Sequence, residues 1–229
     1  MGVIDVVFLD VGGPLYDEAP YYHSILRALR EMGADVSDEA YASEYERCRN
    51  AQDGSFRRRL ASAFLGPTAD VRELTARAAR HWRYTAASLH EDVPPCLENL
   101  SGRYRLGVIA NQLAAVRDAM RRDGIDRYFD VWAVSDELGV EKPDPGIFEY
   151  ALERAAAPAG RTVMVGDRLD YDIRPAAGLG MRTVWVLRGE APRDPTPQQL
   201  SVPDAAVRTL SELPPVLETI GAETREGAR

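Results

Sequence analysis

Three short apolar runs in this chain each stop on a polar residue. Val6-Val7-Phe8-Leu9 ends on Asp10, Leu106-Gly107-Val108-Ile109-Ala110 on Asn111, and Val163-Met164-Val165-Gly166 on Asp167. Unbroken apolar runs separated by helix-like stretches read as strands buried on both faces, the condition of a parallel sheet. In an open α/β sheet the ligand crevice lies beyond the carboxyl ends of such strands. One fold choice therefore delivers two carboxylates and an amide to one place, which points to an enzyme.

The first strand covers about residues 4–10, and Gly12-Gly13-Pro14 breaks it. Tyr22, Ile25, Leu26, Leu29 and Met32 then recur at helical spacing up to a stop at Gly33. Composition predicts further helices over 37–50, 55–64 and 69–89, punctuated by Gly54 and Gly66-Pro67. From about Tyr104 strands and helices alternate. The strand ending at Asn111 is followed by a helix carrying Leu113, Val116, Ala119 and Met120, then by a strand over Val131–Val134. Asp144 is placed as an N-cap with Pro145 at the first helical position, and Ile147, Phe148, Ala151, Leu152 and Ala155 continue that helix. After the strand ending at Asp167 come a helix closing near Gly178 or Gly180, a strand over Thr183–Leu187, a proline-rich loop over 189–203, and a strand near Ala205–Val207. A helix after Ser211 and a frayed tail beyond Gly221 finish the chain.

This is an α/β architecture: a Rossmann-like parallel core from residues 1–16 and 97–229, interrupted by a helical block over 17–96. Such a block is far longer than an ordinary βα loop, and its insertion just after Asp10 makes it a cap over the crevice.

A net charge of −8 (28 basic minus 36 acidic residues) argues against a nucleic-acid footprint. Arg57-Arg58-Arg59 reads as a solvated helix face. The chain opens without a basic, then apolar, leader, and no run reaches membrane-spanning length, so a cytoplasmic protein is expected. Cys48 and Cys96 lie far apart without CxxC partners and read as buried or inert thiols. His23, His81 and His90 are isolated, which favours structural or surface roles. Tyr21, Tyr22 and Trp82 read as cap core or cleft lining. Oligomeric state is not encoded in any of these features.

Four segments stand in the order and spacing of the motifs of the haloacid dehalogenase (HAD) superfamily. They are Asp10-Val11-Gly12-Gly13-Pro14-Leu15, Val108-Ile109-Ala110-Asn111, Gly139-Val140-Glu141-Lys142-Pro143-Asp144-Pro145 and Gly166-Asp167-Arg168-Leu169-Asp170-Tyr171-Asp172. The chain resembles that superfamily over nearly its whole length, and the helical insertion resembles its helical (C1-type) cap. The resemblance implies Asp10 as nucleophile and Lys142 as the cation beside it and the transferring group. It implies Mg²⁺ held by Asp10, Asp167 and the backbone carbonyl of Gly12, with Asp172 supporting the metal site or Lys142. Asn111, Gln112 and backbone N–H groups around Gly13 would meet the phosphoryl group. The chemistry is consistent. A phosphate dianion repels a carboxylate nucleophile, so positive charge is needed beside both, and Mg²⁺ takes oxygen ligands of this kind. A carboxylate nucleophile divides hydrolysis into formation and breakdown of an aspartyl-phosphate.

Two positions depart from the family pattern. Most phosphatases of the family carry a second aspartate where this chain has Gly12, acting as general acid and base, a role worth ~10²–10⁴-fold. Asp17, His23 or a cap residue are candidates to replace it. Ala110 stands where Ser or Thr is usual, and weaker phosphate affinity is expected. The cap holds no lysine between Asp17 and Cys96, which disfavours phosphonate cleavage. The leading expectation is a Mg²⁺-dependent phosphatase of a small phosphorylated metabolite, with Arg57 or Arg83 meeting a second anionic group. The alternatives are a 2-haloacid dehalogenase-type hydrolase and a catalytically impaired HAD-like protein that binds a phosphorylated ligand or partner.

Overall fold

The computed structural model describes residues 4–226. In chain order the elements are β1 (Val6–Leu9), α1 (Ala19–Glu31), α2 (Asp38–Ala51), α3 (Phe56–Leu65), α4 (Val71–Arg80), α5 (Val93–Ser101), β2 (Arg105–Ala110), α6 (Val116–Arg122), β3 (Val131–Val134), α7 (Ser135–Leu138), α8 (Pro145–Ala155), β4 (Thr162–Gly166), α9 (Arg174–Gly178), β5 (Arg182–Val186), α10 (Pro197–Leu200), β6 (Ala205–Val207) and α11 (Leu213–Glu226). Short 3₁₀ and π turns join several of them.

All six strands are parallel, in the order β3-β2-β1-β4-β5-β6. Chain order reverses between β1 and β4, so the switch point, where such sheets bind ligands, lies between them. Leu9 is level with Val108 on one side and Val165 on the other. The residues just past those ends are therefore neighbours. Every residue of β1 and β4 is buried. That is why their sequences carry no polar alternation: both faces are covered, one by the cluster containing Leu97 and Leu217, the other by that containing Phe148 and Ala151.

α1 to α4 form a separate hydrophobic cluster from Tyr22 to Ala78, built on the apolar stripe of α1. The chain enters and leaves this block side by side. Tyr16 bridges Leu89 in antiparallel sense, Asp17 N–H donates to Ser88 O at 2.7 Å, and His90 N–H donates to Leu15 O at 3.1 Å.

Three expectations change. The helix expected over 69–89 ends at Arg80. Beyond it Trp82 packs against Tyr21 and Tyr84, and Tyr84 against Tyr16, so tertiary aromatic contacts override a helix-forming composition. A cap boundary at residue 96 would cut α5, whose Val93, Cys96, Leu97 and Leu100 pack in the sheet cluster; the second crossing lies nearer Ser88–His90. The tail expected to fray after Gly221 continues as helix to Glu226, while residues 227–229 lie outside the described residues. Both cysteines are buried and free, and burial pushes their thiols up to about 11 (Cys48) and about 12 (Cys96).

Candidate active site

Asp10 follows β1 and is tied to β4 by its N–H, which donates to Val165 O at 2.9 Å. Asp167 follows β4, and Asp172 lies in the turn after it. Carboxylate oxygens of Asp10, Asp167 and Asp172 all lie within 4.8 Å of one another. Lys142, in the loop between α7 and α8, sends Nζ to Asp10 Oδ1 at 2.9 Å and to Asp172 Oδ1 at 2.6 Å. It is 2% exposed and is the only lysine among the chain's 28 basic residues. An ammonium is a compact point charge that can sit between two carboxylates where a planar guanidinium would need more room.

The cradle is fixed from outside. Asp172 Oδ2 accepts the Arg168 N–H at 3.0 Å, and Asp167 Oδ2 accepts the Glu190 N–H at 2.6 Å. Trp185 Nε1 donates to the Asp167 carbonyl at 2.9 Å. Gly13 has φ +83°, and a Cβ there would lie 2.3 Å from Asp167 Oδ2. Glycine at position 13 is thus required both for its backbone conformation and for the room it leaves Asp167.

Of the residues expected at the phosphoryl site, Asn111 and Gln112 have protein partners. Asn111 Nδ2 donates to the Lys142 carbonyl at 2.8 Å, and its Oδ1 accepts the Lys142 N–H at 2.7 Å. Gln112 Nε2 donates to Glu18 Oε1 at 3.0 Å. Asn111 therefore positions Lys142. The Gly13 N–H donates to Tyr16 O at 2.9 Å. The bridge between Gly12 and Tyr16 is made by the Gly13 N–H and the Val11 carbonyl, so it leaves the Gly12 carbonyl out.

Burial raises the Asp10 carboxyl to about 7, against the opposing pull of Lys142. Burial, then Asp172, Asp10 and Glu190, lift Asp167 well above the usual carboxylate range. Burial pulls the Lys142 ammonium down, but Asp10 and Asp172 more than offset it and its pKa lies above the ordinary lysine value. Three carboxylates facing one ammonium leave an excess of negative charge in a desolvated place. An all-oxygen donor set with uncompensated charge fits a hard divalent cation such as Mg²⁺.

Of the candidates named to replace a carboxyl at position 12, Asp17 and His23 are both exposed. Asp17 accepts the Ala19 N–H at 2.9 Å, while His23 Nδ1 lies 3.0 Å from the Ala19 carbonyl. Arg83 is also exposed; Arg57 is half-buried and donates to Tyr21 Oη at 3.2 Å. The sequence left the third candidate as an unspecified cap residue and did not single out Glu18. A Cβ built on Gly12 would lie 2.3 Å from Glu18 Oε1 and 2.5 Å from Oε2. Burial raises the Glu18 carboxyl above its ordinary value, partly opposed by the Tyr84 hydroxyl. His90, expected to be structural or at the surface, places Nε2 3.1 Å from the Gly13 carbonyl. Glu190 was also missed: it gathers Tyr22 and Arg168 at the edge of the cradle.

A family model described as haloacid dehalogenase-like hydrolase matches residues 4–180. The chain is 29% identical over 233 residues to glyceraldehyde 3-phosphate phosphatase of Methanopyrus kandleri, covering 96% of this chain and 100% of that protein. It is 38% identical to pyrimidine 5′-nucleotidase YjjG of Escherichia coli over 92 residues, where the match spans 39% of this chain and only 41% of the relative. Among solved structures, 2-haloacid dehalogenase from Pseudomonas syringae superposes with a TM-score of 0.61 at 29% identity, covering 95% of this chain and 99% of that one. Among the described residues no helix is long and apolar enough to cross a membrane.

Proposed function

This chain belongs to the haloacid dehalogenase-like hydrolases, and from that premise we propose that it is a Mg²⁺-dependent phosphatase acting on a small phosphorylated metabolite through an aspartyl-phosphate at Asp10. One observation carries the reading: the Asp10, Asp167 and Asp172 carboxylates meet within 4.8 Å, with Lys142 Nζ 2.9 Å from Asp10.

In this mechanism the Asp10 carboxylate attacks phosphorus, and Lys142 beside it offsets the repulsion between nucleophile and dianion. Asp172 and Asn111 hold Lys142 in place, one at its ammonium and the other at its peptide. Asp10, Asp167 and the Gly12 carbonyl would hold Mg²⁺, which when bound supplies positive charge at the phosphoryl oxygens. Asp172 belongs to the same acidic set and would support the metal site as well as Lys142. The helical block over residues 17 to about 88 acts as a cap that selects the leaving group, because the core residues face only the phosphoryl end.

The dehalogenase reading is weaker. Attack on a carbon–halogen bond by Asp10 needs no metal, so the excess of buried carboxylate over ammonium would have no use. The chain is 29% identical over nearly its full length both to a phosphatase and to a 2-haloacid dehalogenase, so the charge balance of the site carries the choice.

A panel of phosphorylated metabolites assayed with and without Mg²⁺, with Asp10→Asn as blank and halide release followed in parallel, tests the proposal. Phosphate release that requires Mg²⁺ and vanishes in Asp10→Asn is expected. Release that persists in Asp10→Asn, or halide release without metal, overturns it.

A further inference from the structure

Ester cleavage by Asp10 leaves two protons unassigned. The departing alkoxide must gain one, and the water that later attacks the aspartyl-phosphate must lose one. Few groups around the crevice are free to move them. Lys142 is held by Asp10 and Asp172, Asp172 also by the Arg168 N–H, and Asp167, which accepts the Glu190 N–H, is committed to the metal in the reading above. His90 lies against the Gly13 carbonyl, and the Tyr84 hydroxyl donates to Glu18.

Glu18 remains. It stands at the first chain crossing into the cap, directly before α1, and its carboxylate turns back between the ends of β1 and β2. There it fills the volume in front of Gly12, with Oε1 2.3 Å and Oε2 2.5 Å from the point where a Cβ would be. Tyr84 Oη donates at 2.7 Å and Gln112 Nε2 at 3.0 Å, both to Oε1. Both grips fall on one oxygen, which leaves Oε2 to carry a proton.

We propose that Glu18 is the proton-transfer residue of this hydrolase, doing from outside the first loop what a side chain at position 12 cannot. The proposal rests on the phosphatase reading above. In the first step an Asp10 oxygen bonds to phosphorus and the bond to the leaving oxygen breaks. That oxygen keeps the electron pair and takes the proton from Glu18 Oε2, giving the alcohol and a Glu18 carboxylate. In the second step the carboxylate takes a proton from water as the water oxygen bonds to phosphorus. The bond to Asp10 breaks, phosphate leaves, and both acids return to their starting forms.

The test compares leaving groups. p-Nitrophenolate departs without a proton, whereas an alkoxide does not. Glu18→Gln should slow transfer from the fastest alkyl phosphate of the metabolite panel by ~10²-fold or more, but leave a p-nitrophenolate burst within about fivefold of wild type. That burst should stop near one equivalent per enzyme, because water attack then lacks its base. Equal losses with both esters, or none with either, overturn the proposal. Wild-type enzyme that releases phosphate from neither ester overturns the phosphatase reading itself, and this one with it.

A swap covers the case in which Glu18→Gln does not fold. Gly12 lies outside the left-handed region, and the three atoms nearest to a Cβ there all belong to the Glu18 carboxylate, which Glu18→Ala removes. Gly12→Asp in a Glu18→Ala background should raise alkyl phosphate turnover at least about tenfold over Glu18→Ala alone. Failure to recover any activity overturns the assignment. Asp17→Asn, at the exposed neighbour, should be silent.

Discussion

Asn111 holds the Lys142 peptide from both sides, Nδ2 donating to its carbonyl at 2.8 Å and Oδ1 accepting its N–H at 2.7 Å. The amide at the end of β2 thereby fixes the loop that carries the ammonium, although 31 residues separate the two. Without these bonds Nζ would have to find Asp10 and Asp172 from a loop free to drift.

Asn111→Ala should therefore act through Lys142. Leaving two backbone groups without partners predicts a loss of about 2 kcal/mol in stability, read by urea unfolding. It also predicts a fall in kcat larger than any rise in KM, because the bonds removed are those that position the ammonium beside Asp10.

Lys142→Met leaves the Asp10 and Asp172 carboxylates facing each other in a buried site. Breaking a buried pair by removing one partner costs about 3–5 kcal/mol, and adding Asp10→Asn should return part of it. Lys142→Arg should lose at least about 10²-fold in kcat, since the planar fork cannot lie between the two acids as the ammonium does. Denaturant melts of the single and double variants and steady-state kinetics check these outcomes.

Stability of the metal-free protein should fall as pH rises from about 4 to about 7. The Asp10 carboxyl is raised from 3.8 to about 7, so folding favours its protonated form and that contribution disappears as pH climbs through the folded value. Asp167 is displaced in the same direction by burial and adds to the slope. Melting curves in EDTA across this range should show the decline, Asp10→Asn should flatten it, and Mg²⁺ should stabilise more at pH 8 than at pH 5. A stability that rises with pH in EDTA would refute this electrostatic picture.

Gly13 and Gly124 both have positive φ, +83° and +72°, but only Gly13 faces a neighbour, Asp167. Alanine at either should cost ~1–2 kcal/mol of backbone strain. Gly13→Ala should in addition weaken Mg²⁺ binding measured by calorimetry, while Gly124→Ala should not.

Gln52, fully buried with φ 49°, joins the helical block to the core: Nε2 donates to Glu190 O at 2.7 Å and Oε1 accepts the Leu169 N–H at 2.9 Å. Gln52→Ala should lower stability by about 1–3 kcal/mol and speed proteolysis at residues 52–54. Gly54 at the end of that loop shares the contact, its N–H donating to Asp170 at 2.7 Å.

Much of the scaffold was legible because burial on both faces removes polar residues from a strand. β3 and β6 lie at the expected residues, and Asp144 caps α8 through the Gly146 N–H at 2.8 Å. The helix expected over 69–89 failed because alanine and arginine carry only a local preference, whereas Trp82 and Tyr84 answer to Tyr21 and Tyr16 from distant parts of the chain. Glu18 was overlooked for a related reason. Beside the exposed Asp17 it looks like an ordinary acid before a helix, and nothing local says its carboxylate turns back over Gly12. A single lysine among 28 basic residues was a signal in plain view that Lys142 is unlike the arginines.

The linear chain alone determined which residues end the parallel strands, and so which acids can meet, because apolar burial fixes strand ends and the sheet fixes where those ends point. Only the folded molecule decided how they meet. The Lys142 ammonium between two acids, the Asn111 clamp on its peptide, and a Glu18 carboxylate in the space beside Gly12 all depend on loops whose paths are set by long-range packing and charge, forces that leave no periodic trace in a sequence.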